Sequence, residues 1–465
     1  MLLRISFIAL LIIVYVAGSL LAAHHASHAL LAGLMALSFL SLVAAMYLRL
    51  LPAVLALPVL AVLLASLAGM HWQDIFSNVV ETGGMRLKSA ILAAILGSVL
   101  AQVVEKTGIA ATAVKKTAEL GGDQPIILAA VLTLVIAILF TTLAGLGGVI
   151  MVATIVIPIL LSLGLRPLYV GCLFLLAMSL GGAFNLANWE LYKTTLHMTN
   201  SQILPFAAPF GGIMLVSIIL FMLIEGKRMG KARYKAVLSE PARKFEFVPW
   251  YALLTPVVPL IPVLAFALLP HFSHKQASYD FPISVALMLG IIYGAITTWK
   301  RGQSTAQLLT KSTFDGIAAV GPALALMVGI GMVLIATMSP EVNAIMQPVL
   351  ARIMPHGHSL GAVLWYIALF TVLAPLALYR GPLNLYGMGA GLISALQGIM
   401  PTGAIMAAFT AVGMVQGVCD PTNTHNVWVA NYTNTDVQDI LKRTMPNMWV
   451  LTLGGLVLGA VLYYR

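Results

Sequence analysis

The stretch IILAAVLTLVIAILFTTLAGLGGVIMVATIVIPILLSLG (126–164) decides how the chain is threaded. It is apolar over 39 residues, and a helix of that length would rise roughly 58 Å against the ~30 Å of hydrocarbon in a bilayer. One helix cannot account for it, and TTLAGLGG (141–148) interrupts it near the middle. A second stretch of 39 residues, 360–398, is interrupted by YRGPLN (379–384). Two half-length helices joined at a Gly- or Pro-containing tip form a re-entrant hairpin, which enters and leaves on one side. Irregular backbone at that depth is tolerated only where protein or a polar cavity surrounds it.

The rest of the chain supplies the membrane context. Of 465 residues 60% are hydrophobic and 9% charged, with mean hydropathy +0.99, far too little charge for a soluble surface. Apolar runs of spanning length recur at 5–22, 29–48, 50–70, 86–106, 168–190, 202–225, 249–270, 281–299, 317–338, 402–430 and 446–463. The fold class is therefore an all-α polytopic membrane protein, with about 11 transmembrane helices plus the two hairpins. An outer-membrane barrel is excluded because the runs are continuous rather than alternating. The net charge of +10 does not signal nucleic acid, because Lys and Arg sit in short loops between spans. Cys172 and Cys419 fall inside apolar spans and read as small buried hydrophobes. Residues 1–23 resemble a signal peptide, but the topology uses them as a retained first helix.

With the N-terminus cytoplasmic and both long stretches re-entrant, 18 Lys and Arg fall inside and six outside, a positive-inside bias that places the C-terminus externally. If either stretch crossed as a single span, every later loop would change sides. The seven-cation loop at 227–244 or the Lys442–Arg443 pair would then lie outside. The expected location is a plasma membrane, the bacterial inner membrane. A hairpin followed by an interrupted span occurs twice, shifted by about 235 residues, so that Gly182 faces Gly417, Asn185 faces Asp420 and Asn188 faces Asn423. Five crossings per unit make the second unit inverted, as in many secondary transporters. The first hairpin then opens to the cytoplasm and the second to the outside. The expected division is a first transmembrane helix (1–28), repeat 1 (29–225), a basic cytoplasmic linker (226–247) and repeat 2 (248–465).

Eleven spans, two opposed hairpins and two broken helices resemble the ion transporter superfamily, which includes divalent-anion:sodium symporters and related citrate and gluconate permeases. In sequence the resemblance is concentrated in FTTLAGLGGVIMVATIVIPILLSLGL (140–165) and the two broken spans. It implies an elevator-type secondary transporter, in which a transport domain slides past a scaffold that is usually dimeric. The hairpins and the spans at 168–190, 202–225, 402–430 and 446–463 would form the transport domain. Sodium-coupled dicarboxylate members carry Ser-Asn-Thr at both hairpin tips. Here the tips read TTLAGLGG and YRGPLN, and the TNT triplet (422–424) lies in a broken span. Sodium coupling and dicarboxylate choice therefore do not carry over, and the expected coupling ion is H+ rather than Na+, as in gluconate-type members.

The chemistry is expected in GVCDPTNTHNVW (417–428) and YRGPLN. A charge at bilayer depth costs at least a few kcal/mol, and a proline there frees backbone carbonyls. Arg380 is the one basic residue with long apolar runs on both sides, and Asp420 the one such acid. The guanidinium of Arg380 is a permanent cation suited to bidentate carboxylate binding. Burial disfavours a charged carboxyl and a nearby guanidinium favours it, the balance a proton carrier needs, so Asp420 is the expected proton-coupling group. Protonation of Asp420 would release Arg380 to bind a substrate carboxylate. A purely structural Arg380–Asp420 pair is the competing reading. Thr141, Thr142, Gly147, Asn185, Asn188, Asn384, Thr422, Asn423 and Thr424 complete the expected substrate site; the alternative for each polar group is a cap on a broken helix end. Gly145, Gly147, Gly148 and Gly381 suit tight tip geometry.

His425 is the one histidine at a break, either a proton shuttle or a hydrogen-bonded structural residue. HHASH (24–28) lacks acidic or Cys partners for a metal, and GMGAGL (387–392) lacks the Lys-Ser/Thr of a nucleotide loop. No HExxH or GxSxG motif argues for an enzyme, and no cofactor is expected. The expected function is proton-coupled symport of a small organic anion: a sugar acid, hydroxy acid, citrate or C4-dicarboxylate. The alternative within the superfamily is a sodium/proton antiporter. Expected partners are that anion, the lipid bilayer and a second copy in a homodimer.

Overall fold

The computed structural model describes residues 27–48, 50–121, 125–143, 145–162, 164–229, 248–272, 280–299, 304–355, 357, 359–387 and 389–464. The expected helix at 5–22, most of the basic linker 226–247 and most of HHASH lie outside the described residues. Among the described residues the chain is helical, with no strand beyond one isolated bridge between Gln397 and Met400. Eight helices there are long and apolar enough to cross a membrane, or nine if the bent pair Pro167–Ala183 and Leu186–Leu196 is one span. The fold class is the all-α polytopic membrane protein expected.

Both long apolar stretches are interrupted where their Gly and Pro residues stand. The first forms Pro125–Phe140 and Gly145–Ser162, joined through Thr141–Leu143, and Gly145 takes the left-handed φ of +80° that the tight restart requires. The second forms Leu360–Leu373, a 3₁₀ segment Ala374–Arg380, turns, and the short helix Gly389–Leu396. Tyr379 sits at φ 56° in that segment, a conformation rare for a bulky side chain and found where surroundings impose it.

Several expected spans change shape. The span at 249–270 is not one helix: 3₁₀ residues Trp250–Leu254 lead through turns into Leu260–Phe272. Pro249, Pro256, Pro259 and Pro262 account for it, since each lacks a backbone donor and crowds the preceding turn. The runs at 50–70 and 281–299 carry helices Ala53–Leu67 and Ile283–Thr297 of 15 residues each, which rise only about 22 Å. The run at 317–338 belongs to a longer helix, Thr305–Met338. Ile109–Gly121 and Pro340–Ile353 are helices outside every expected span.

The chain divides into two compact units, residues 1–88, 323–416 and 455–465, and residues 89–322 and 417–454. In the first, His28–Tyr47 packs against Ala53–Leu67, and the Gly83 and Gly331 backbones approach so closely that a Cβ at Gly83 would lie 2.8 Å from Met332 Cα. Tyr366 donates its hydroxyl to the Ala404 carbonyl at 3.0 Å. In the second unit the helix Pro125–Phe140 lies along Pro167–Ala183. Gly181 permits the approach: a Cβ there would strike the Ala137 carbonyl and come 2.8 Å from Phe140 Cβ. Glycine's low helix propensity is offset here by backbone-to-backbone packing.

Candidate functional site at the helix breaks

The first break falls at Phe184–Asn185, with the flanking helices bent by 48°. Asn185 is the N-cap of Leu186–Leu196: its Oδ1 accepts from the Ala187 and Asn188 N–H groups at 3.0 and 3.3 Å. Its Nδ2 donates to the carbonyls of Phe140 and Leu143 at 2.8 and 3.0 Å. All four hydrogen bonds an asparagine amide can make are thus used, and the turn at Thr141–Leu143 is fastened to the broken helix. The Leu186 N–H adds a bond to the Thr141 carbonyl at 3.0 Å. Asn188 Nδ2 donates to the Gly182 carbonyl at 2.9 Å, and the Trp189 indole to the Ala183 carbonyl at 2.9 Å. These last two are among the carbonyls that a broken helix leaves without intrahelical donors.

The second break runs from Asp420 to Asn423, between Thr402–Cys419 and Thr424–Tyr432. Pro421 lacks the N–H that would continue the ladder. Asp420 closes an Asx turn, its Oδ1 accepting from Thr422 N–H at 2.9 Å and Thr422 Oγ1 at 2.7 Å. Asn426 Nδ2 donates to the Asp420 carbonyl at 3.0 Å. Asp420 and Asn426 are both 0% exposed. Asp420 Oδ2 and Asn426 Oδ1 have no hydrogen-bond partner among the described residues, a costly arrangement for buried acceptors, above all a carboxylate. Cys419 packs its thiol against Thr444 Oγ1 at 3.2 Å.

These bonds correct the repeat register. Asn185 and Asn423 both stand at the N-cap of a second half-helix. Asn188 and Asn426 each donate to the carbonyl six residues back. Both pairs are 238 residues apart, as are Gly182 and Asp420. The shift of about 235 paired Asn185 with Asp420 because two abundant glycines, Gly182 and Gly417, happened to align. The repeated signal is Asn-x-x-Asn, NLAN (185–188) and NTHN (423–426). Asn426, which the sequence reading left out of the site, is found by that pattern.

The other expected site residues are placed as follows. Thr141 Oγ1 donates to the Ile138 carbonyl at 2.6 Å and Thr142 Oγ1 to the Pro256 carbonyl at 3.1 Å. Gly147 faces Gln102, whose Nε2 would lie 3.1 Å from an added Cβ. Thr424 is exposed and His425 half-buried on the second half-helix, while Asn423, buried, makes no side-chain capping bond. In the other unit, Asn384 is 1% exposed. Its Oδ1 accepts from Tyr386 N–H at 2.8 Å, and its Nδ2 has no partner among the described residues. Gly389 crowds it, since a Cβ there would come 2.6 Å from the Asn384 carbonyl oxygen. The side chain of Arg380, and with it the expected pairing to Asp420, lies outside the described residues.

No protein-family model matches the chain, and no curated protein sequence matches it. A solved structure does: the YdaH transporter of Alcanivorax borkumensis, described as having an unusual topology. It superposes with a TM-score of 0.57 at 18% identity, over 84% of this chain and 87% of that one. The chain thus shares its fold with a membrane transporter.

Proposed function

We propose that this protein is a secondary active transporter of a small organic anion, with Asp420 carrying the coupling proton and the second break forming part of the cargo path. The observation that supports this most is the buried Asp420 carboxylate, one oxygen of which has no partner among the described residues. Ionisable groups at membrane depth are costly and mark ion or substrate pathways. In the other unit the buried Asn384 amide nitrogen has no partner among the described residues, and Arg380, two residues before Pro382, is of the cation type that suits a carboxylate. In this reading Asn185, with its hydrogen bonds fully used, anchors the first hairpin rather than touching cargo.

Ion pairs agree with the topology behind this proposal. Lys106–Asp315 at 2.6 Å, Lys193–Asp280 at 2.7 Å and Arg443–Glu225 each join residues that the positive-inside pattern assigns to one face. The elevator motion, the homodimer and the superfamily membership belong to this same proposal.

Purified protein in proteoliposomes tests it. A panel of sugar acids, hydroxy acids, citrate and C4-dicarboxylates is offered with either an inward proton gradient or an inward sodium gradient. The expected result is accumulation of at least one carboxylate driven by protons. Sodium-driven proton movement with no anion accumulated would replace the proposal with the antiporter reading, which the paired orphan acceptors at Asp420 and Asn426 also suit.

A further inference from the structure

We infer that the protein binds a single monovalent cation, at the second break between Asp420 Oδ2 and Asn426 Oδ1, and that the first break binds none because Asn185 Nδ2 occupies the equivalent role. The inference deepens the proposed function and rests on it for its place in a transport cycle. At the first break, the Phe140 and Leu143 carbonyls are freed by the end of Pro125–Phe140. Two convergent carbonyl oxygens would suit a cation, but the Asn185 amide donates one N–H to each, at 2.8 and 3.0 Å. A tethered NH₂ stands where a positive charge would otherwise be attracted. Asn423, the equivalent N-cap 238 residues later, makes no capping bond.

At the second break the balance is reversed. Asn426 turns its nitrogen to the Asp420 carbonyl at 3.0 Å, which leaves its oxygen as the free end of the amide. That oxygen and Asp420 Oδ2 are two fully buried acceptors in one break, with no donor for either among the described residues. One positive charge answers both, as a proton on Oδ2 or as an alkali ion between them. The charge count points to one such ion. Among the described residues Asp420 and Glu225 are the buried acids, and Glu225 is paired with Arg443. The titratable groups on elements packed around the break are Cys419, His425 and Tyr432 on the two half-helices, Tyr169 and Cys172 on Pro167–Ala183, and Asp439, Lys442, Arg443 and Tyr463 on Val437–Tyr463, with Arg443 paired to Glu225 of Asn200–Met229; Gly145–Ser162 carries none.

Cation binding by the purified full-length protein tests this without any substrate. Thermal stability is followed against NaCl, with choline chloride as control, and the slope gives the number of ions bound. In parallel, a pH-indicator titration compares proton uptake by the wild type and Asp420→Asn. The expected result is one sodium ion or one proton, lost in Asp420→Asn and weakened at least tenfold in Asn426→Leu. Asn185→Asp, which places an oxygen between the Phe140 and Leu143 carbonyls, is expected to bind a second cation. Two cations in the wild type, a cation that survives Asp420→Asn, or no dependence on either ion would overturn the inference. Because no transport is measured, one bound cation with no carboxylate uptake would refute the proposed function and leave this inference standing.

Discussion

The two breaks share a frame and differ in what they do with it. Each opens with a carbonyl held by an asparagine six residues on, Asn188 to Gly182 and Asn426 to Asp420, and each restarts at an asparagine N-cap. At the first, the cap residue's nitrogen reaches across to the Phe140 and Leu143 carbonyls while its oxygen caps its own helix, so its whole amide is used. At the second, a carboxylate stands where the first has Gly182, the cap residue makes no side-chain capping bond, and two buried acceptor oxygens have no donor among the described residues. The frame is what a broken helix needs to exist in a membrane at all. The departures from it, a carboxylate and two acceptor oxygens without partners among the described residues, are concentrated in one of the two breaks. Two breaks built on one frame thus differ in how far their polar groups are satisfied.

Substitution of the two cap residues should break this symmetry most visibly. Asn185→Ala removes a cap and strands the buried Phe140 and Leu143 carbonyls, and is expected to cost about 3 kcal/mol. Asn423→Ala should cost under about 1 kcal/mol, since its side chain makes no capping bond. Thermal or denaturant unfolding in detergent compares them, and equal losses would mean the breaks are not differentiated as described. A smaller contrast is expected between glycines of the two broken helices. Gly181→Ala would force Pro125–Phe140 away from Pro167–Ala183 and cost about 2 kcal/mol, whereas a Cβ at Gly413 meets nothing within 4 Å. Gly413→Ala should be neutral or slightly stabilising, because alanine favours a helix by about 1 kcal/mol over glycine. The same melts measure both, and a stable Gly181→Ala would show that the close approach is not required.

The sequence made the interruptions legible and the bonding across them much less so. TTLAGLGG, YRGPLN and GVCDPTNTHNVW stand out because Gly, Pro and charge are conspicuous inside apolar runs, and all three are breaks in the structure. The run at 249–270 misled because mean apolarity outweighed the five prolines visible in it. Helix Pro340–Ile353 escaped because its apolar face is narrow and its ends are polar. Asn185 looked like a binding group from type and position; its saturation depends on carbonyls more than 40 residues earlier, a distance no local pattern reports. Asn426 was within reach through the Asn-x-x-Asn repeat, had the glycine alignment not set the register three residues off.

Under the proposed function a single buried carboxylate couples an ion gradient to cargo. Asp420→Asn is its most direct test, because asparagine keeps an oxygen to accept from Thr422 and preserves the turn while removing the charge. In proteoliposomes the variant should no longer concentrate the transported anion against its gradient, while still exchanging external for internal anion. Undiminished accumulation by Asp420→Asn would contradict the account.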